Sequence, residues 1–352
     1  MNILAAHKRA VGATLFAGTA RQHRANLAAS IKIENLYCLP VLLSGVPSLV
    51  LNKSEVNIID QHFKNTLKNL IKAYPDTSNS FVLFMAGSLP ATAIIHLRQL
   101  GLFSMISRLP ADPLNARARQ VLTSSKPSSK SWFIGLRNIC LQYGLPHPLT
   151  LLLNPPTKET FKKLAKSKVT DFWEKKLRQE SSLLPSLSNF NSAFSSLSKP
   201  HPILWTPGSN PYEVAKSVIQ CRMLSGRYRT EWLSRHWSSS RSGFCQSYLC
   251  SSTPETLEHV LLWCPAYRET RSKIFSLWLS SSNSLVLNLV TNLLLGPSDV
   301  LLKFILDPST HPTVITLGQV YGEEIYRQVF HLTRSWCFAL HKVRSLTLGI
   351  WP

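Results

Sequence analysis

The chain has 352 residues, enough for two or three domains and a sizeable hydrophobic core. Its 39 Lys and Arg against 18 Asp and Glu give a formal net charge of +21, so a polyanion is the first partner to consider. Hydrophobic residues at 44% exclude a disordered basic tail, and seven unevenly spaced cysteines exclude a disulfide scaffold.

The dominant pattern along the chain is helical. Met1–Ile33 contains no acid and carries Lys8, Arg9, Arg21, Arg24 and Lys32. A mitochondrial presequence has that composition, and so does a basic amphipathic helix of the fold, which is the preferred reading. Val56, Ile59, Phe63, Leu67 and Leu70 recur at helical spacing, with Ser54 in N-cap position and Pro75 as a stop. Phe81–Met85 is the one short strand candidate. Further helices are predicted over Ala91–Ser107, Lys130–Tyr143, Lys158–Arg178, Tyr212–Leu224, Glu255–Trp263, Pro265–Leu279 and Leu317–Val343. The fold class is therefore mainly α.

Two polar stretches suggest joints: Ser124–Ser131, and the Ser- and Pro-rich Ser181–Asn210. The expected organisation is a helical region over 1–180, a linker over 181–210 and a helical module over 211–352. No secretory signal is visible, and the best candidate span, Leu285–Leu306, is interrupted by Asn288, Asn292, Pro297, Asp299 and Lys303. These features read as an intracellular, nuclear or cytoplasmic chain, neither secreted nor membrane-bound, with reduced thiols available to a metal.

One constellation carries chemistry. Cys245 and Cys250 form a C-x4-C pair, and His259 with Cys264 forms an H-x4-C pair after eight intervening residues. Thiolates and imidazoles supplied as close pairs from two segments are what a tetrahedral zinc site needs, and four protein ligands leave no open position for water. Pro265 pushes Cys264 out of the α region, so the preceding helix ends there and the thiol turns back toward His259. The alternative is two loop cysteines, a buried Cys264 and an ordinary helix histidine. Cys38, Cys140, Cys221 and Cys337 stand outside this spacing pattern and read as buried thiols.

Between Ala215 and Pro254 the sole acid is Glu231. Lys216, Arg222, Arg227, Arg229, Arg235 and Arg241 are interleaved there with Tyr228, Trp232 and Trp237. Arginine forks grip phosphates and aromatic rings stack on unpaired bases, so Lys216, the five arginines and Tyr228 are the candidate contacts to RNA or DNA. The competing reading is a solvated basic face whose aromatics belong to the core. Nucleophile elbow, Gly-rich phosphate loop and His-Glu-x-x-His motifs are absent, and the one adjacent acid pair, Glu323-Glu324, reads as a water-facing helix start. No catalytic residue and no small-molecule substrate are assigned.

Pro40–Gly45 (PVLLSG) followed by Gly87–Asn115 (GSLPATAIIHLRQLGLFSMISRLPADPLN) resembles the region after the palm in non-LTR (LINE-type) retrotransposon reverse transcriptases. The RMLSGRYRT block, the ETLEHVLLWCPAY block and His331–Trp351 resemble the carboxy-terminal zinc-knuckle region of the same proteins, in the same order. The resemblance implies thumb-like helices over 1–180 and one structural zinc on Cys245, Cys250, His259 and Cys264, in a module that grips nucleic acid. Such polymerases hold metal ions on adjacent palm aspartates, and this sequence has no Asp-Asp pair. The expectation is therefore a non-catalytic nucleic-acid-binding fragment whose first helix is a truncated thumb-side element. Two alternatives stand beside it: a segment of an RNA-directed DNA polymerase whose palm is encoded upstream or supplied in trans, and an interaction protein with incidental charge.

Overall fold

Asparagine and proline set most helix starts. A computed structural model describes residue 9 and residues 26–109, 113–126, 128–250, 252–280 and 283–349. Apart from Arg9, the expectation for residues 1–25 lies outside them. Asn26 caps helix α1 (Leu27–Ile33), accepting from the N–H groups of Ala28 and Ala29; the chain continues as a π-turn over Glu34–Cys38 and a helical turn over Leu39–Leu42. Helix α2 (Lys53–Leu70) is capped by Asn52 and not by Ser54. Asn52 Oδ1 accepts from the Glu55 N–H at 2.9 Å, and the Glu55 carboxylate accepts from the Asn52 N–H at 2.8 Å. This reciprocal box satisfies two orphan amides, whereas Ser54 lies inside the first turn.

The strand expected over Phe81–Met85 is helical instead, within α3 (Asn79–Ala86). Every residue from Ser80 to Ala86 is buried, so the run shows neither helical nor strand periodicity. Helix α4 (Ala91–Ser107) has the expected bounds and packs on α2 and on α8 (Lys158–Ser182), with α5 (Pro113–Ser124), α6 (Trp132–Gln142) and α7 (Pro148–Leu153) between. The long helix expected over Leu317–Val343 is two, α15 (Pro312–Tyr321) and α16 (Glu323–Thr347), broken at Gly322. The only strand-type pairing among the described residues is one isolated bridge, Phe244 to Pro254.

Residues 181–210 are not a free linker. They form two short 3-10 turns and α9 (Pro202–Trp205), and they bury Leu187, Phe190, Leu197, Ile203 and Leu204. Phe190 meets the ring of Phe81 edge-on at 5.0 Å, and the His201 N–H donates to the Met85 carbonyl at 2.9 Å. Two glycines with φ near +60° make this seating possible. A Cβ on Gly87 would lie 2.1 Å from the Lys199 carbonyl carbon, and one on Gly226 would lie 1.8 Å from the Ser186 oxygen. Serine and proline set the irregular backbone, but the leucines and phenylalanines between them carry it into the core. One continuous apolar cluster runs from Leu27 to Leu340.

Helix α16 is the axis of the C-terminal half. It packs on α10 (Pro211–Leu224), α12 (Arg268–Leu279), α14 (Ser298–Leu306) and α15, with Trp336 fully buried between Phe275 and Trp278; the short α11 (Glu231–Ser234) and α13 (Ser284–Leu294) come between these along the chain. Gln220 of α10 donates to the Ile305 carbonyl and to Thr333 Oγ1 at 2.9 and 3.0 Å. No single helix among the described residues is long and apolar enough to cross a membrane.

Charged groups lock α10 to α16. Glu213 accepts from Lys216 Nζ at 2.7 Å, from His331 Nδ1 at 3.1 Å and from Arg334 Nε. Burial would raise this carboxyl, but the three hydrogen bonds and the Arg334 charge hold it well below the carboxylate range. A depressed folded-state value stabilises above the unfolded value of 4.5 and is lost progressively as pH falls below it. Urea titrations between about pH 6 and pH 3 should therefore show wild type losing more stability than Glu213→Gln. Separately, Gly87→Ala should cost about 2–4 kcal/mol through backbone strain and overpacking, and should open residues 181–210 to protease.

Candidate metal centre and basic arm

The four predicted ligands converge. Gly243 and Glu255 close a loop in which the Glu255 N–H donates to the Gly243 carbonyl at 3.0 Å and the Cys245 N–H donates to the Thr253 carbonyl at 2.8 Å. Inside it the Cys250 N–H donates to the Ser247 carbonyl and the Thr253 N–H to the Cys250 carbonyl, which folds both thiols to one side. His259 and Cys264 come from a single π-turn, His259–Trp263, closed by the Cys264 N–H on the His259 carbonyl at 2.7 Å. Cys264 leaves the turn at φ −57°, ψ 118°, as a residue before proline should.

One ligand atom from each of Cys245, Cys250, His259 and Cys264 lies within 4.8 Å of the others, the one such group among the described residues. A zinc ion with Zn–S bonds of about 2.3 Å sets tetrahedral sulfurs about 3.8 Å apart. Cys245–Cys264 and Cys250–Cys264 stand at 3.8 and 3.7 Å. Cys245–Cys250 is closer, at 3.1 Å, yet well beyond the bond length of a disulfide, about 2.05 Å. His259 is 6% exposed, and its Nε2 has no hydrogen-bond partner among the described residues. Leaving a buried imidazole nitrogen unpaired costs free energy that a coordinated cation removes. The donor set fits zinc.

The electrostatics agree. Burial raises the Cys245 and Cys264 thiols, with the neighbouring sulfurs adding to it at Cys245, so thiolates there call for a cation. Burial lowers His259 and outweighs the nearby Glu255 carboxylate, which keeps the imidazole neutral and able to coordinate.

A buried ion pair holds this loop on the core. Glu255 (1% exposed) accepts from Arg344 Nε at 2.9 Å and from Arg344 Nη2 at 2.7 Å, a bidentate fork reaching across from α16. The same carboxylate accepts from the Glu231 N–H at 2.6 Å. Arg271 donates to the Cys264 carbonyl at 2.7 Å and fixes the second ligand segment. The Glu255–Arg344 pair was not visible in the sequence, since its members lie 89 residues apart.

The candidate nucleic-acid contacts divide. Lys216 is buried, held by Glu213 and by Ser335 Oγ at 3.1 Å, and Tyr228 is buried with its hydroxyl on His341 Nδ1 at 2.9 Å. These two are packing residues and not surface contacts; their side chains fall on inward helix and turn positions. Arg222 donates from Nε to the Lys72 carbonyl and lies over the Tyr74 ring, and Arg227 pairs with Asp76 at 3.7 Å, both half-buried. Arg229, Arg235 and Arg241 are exposed. Arg235 stacks on Trp232, and Arg241 pairs with Glu231 at 2.7 Å. Around the metal loop Trp237, Phe244, Tyr248 and Trp263 are exposed aromatics that the charge pattern did not single out, apart from Trp237. Cys38, Cys140, Cys221 and Cys337 are buried, as expected.

Comparison with family models, curated proteins and solved structures finds no match to this chain.

Removing one member of a buried pair strands the other's charge. Arg344→Met should destabilise by about 3–5 kcal/mol in chemical denaturation, and Glu255→Gln in the same background should restore much of that stability.

Proposed function

We propose that the chain is a nucleic-acid-binding protein of the kind found in the carboxy-terminal part of non-LTR retrotransposon reverse transcriptases, and that it is non-catalytic by itself. One structural zinc sits on Cys245, Cys250, His259 and Cys264. The observation that carries this reading is the closed Cys3His cluster, reached from two segments that the resemblance pairs in the same way. With four protein ligands the ion has no site for water, so its contribution is to folding and not to chemistry. It fixes the loop that follows the basic arm, and the arm presents Arg229, Arg235 and Arg241 to solvent. The charge of +21 supplies long-range attraction to RNA or DNA. The assignment names no catalytic residue and places the chain inside the cell, in nucleus or cytoplasm.

Purified protein should carry roughly one zinc per chain, and Cys245→Ser or His259→Ala should lower that content and expose residues near Cys264 to protease. Oligonucleotide affinity should fall steeply with salt. Neutralising Arg229 and Arg235 should flatten the logarithmic salt slope by about 0.7 for each single-strand phosphate that is no longer neutralised. Metal-free wild-type protein, or binding that ignores salt, would sink the reading; primer extension by this chain alone should be blank.

A further inference from the structure

Helices α10 and α16, the most extensively packed pair in the fold, leave a groove of about 450 Å³ along one side. Its walls are regular. Ala215, Val218, Ile219 and Arg222 line it from α10 at helical intervals of three and four, and Phe338, Lys342 and Leu346 line it from α16 at intervals of four. Two parallel rows of that kind are the seat into which a third helix packs ridge into groove. The floor is apolar, and Ala215 and Leu346 are exposed at its edges, Leu346 by 55%.

Charge selects the occupant. Lys72, Arg222 and Lys342 stand at the rim, and no carboxylate among the described residues lines the groove. Arg222 is held in place by the Lys72 carbonyl at 2.9 Å and by the Tyr74 ring 4.6 Å away, so its fork is preset. The polar groups of the floor are already engaged: His341 with the Tyr228 hydroxyl behind it at 2.9 Å and with Ser345 at 3.5 Å. A nucleobase in the groove would find few partners for its edges, whereas leucine-type side chains need none. A second copy of a chain carrying +21 is a poor electrostatic match. We propose that the groove between α10 and α16 seats an acidic amphipathic helix of a partner protein, with its apolar face on Val218, Ile219 and Phe338 and its carboxylates on Lys72, Arg222 and Lys342. None of the groove's lining residues is one of the four metal-loop ligands.

The test uses the full chain and a fluorescein-labelled helical peptide of about 18 residues, with leucines at i, i+3, i+4 and i+7 flanked by glutamates. Its control carries lysines in place of the glutamates. Fluorescence anisotropy should show the acidic peptide binding and the lysine peptide not. Lys342→Glu and Leu346→Asp, both exposed positions, should each weaken the acidic peptide by about tenfold, and Ala215→Trp should do the same by filling the groove. The lysine peptide should bind better to Lys342→Glu than to wild type. Equal binding of both peptides, or variants that bind like wild type while melting normally, would overturn the proposal. So would displacement of the acidic peptide by a single-stranded oligonucleotide whose own binding these variants weaken, since the groove would then belong to nucleic acid.

Discussion

The Glu255–Arg344 pair is the contact on which the site depends. Glu255 lies four residues before His259 and closes the cysteine loop through its N–H, while Arg344 lies on the last turns of the axial helix. Because both groups are nearly excluded from water, the pair has one geometry, and departures from it cost several kcal/mol. The carboxylate also takes the Glu231 N–H, which fixes where the basic arm turns into the loop. A single buried carboxylate thus sets the register of three segments: arm, loop and axial helix.

The same use of acids recurs through the chain. Glu213 gathers Lys216, His331 and Arg334; Asp307 gathers His201 and the Ser309 hydroxyl; Asp60 takes Lys64 and the Thr92 N–H. Each of these acids is buried or nearly so, and each joins distant segments or a helix to its neighbour. Among the described residues five acids and five bases are buried, so burial leaves the excess of positive charge at the surface.

What could be read from sequence follows the range of the forces involved. Helix class, the bounds of α4 and the end of a helix at Cys264 are local, set by proline and by spacing, and they were legible. So was the convergence of the four candidate ligands, since both pairs lie within short segments. The Asn52–Glu55 box was also written locally, but two candidate caps lie two residues apart and only the reciprocal hydrogen bond separates them. Phe81–Met85 failed for another reason: a run buried on all sides has no polar face to mark its period. Residues 181–210 show composition misleading outright, because serine and proline describe backbone irregularity while burial follows the leucines and phenylalanines. Lys216 and Tyr228 could not be told from Arg229 and Arg235 by charge density, which does not say which side of a helix or turn faces inward.

The metal loop and the core stabilise each other in an asymmetric way. The core runs from Leu27 to Leu340 and includes Cys245, Cys264 and the π-turn residues Val260 and Leu261, so it does not need an ion to form most of its packing. The loop is different: thiolates and an unpaired imidazole nitrogen held out of water carry a desolvation cost that a coordinated cation would remove. A cation there would order the segment that joins the exposed arginines to α12. The arm is then tied to a rigid body at both ends, by Tyr228 against His341 on one side and by Glu231 against Glu255 on the other. Arginines held on such a strap give up less freedom when they meet a phosphate than arginines on a loose tail, and so retain more of the free energy of each phosphate they grip.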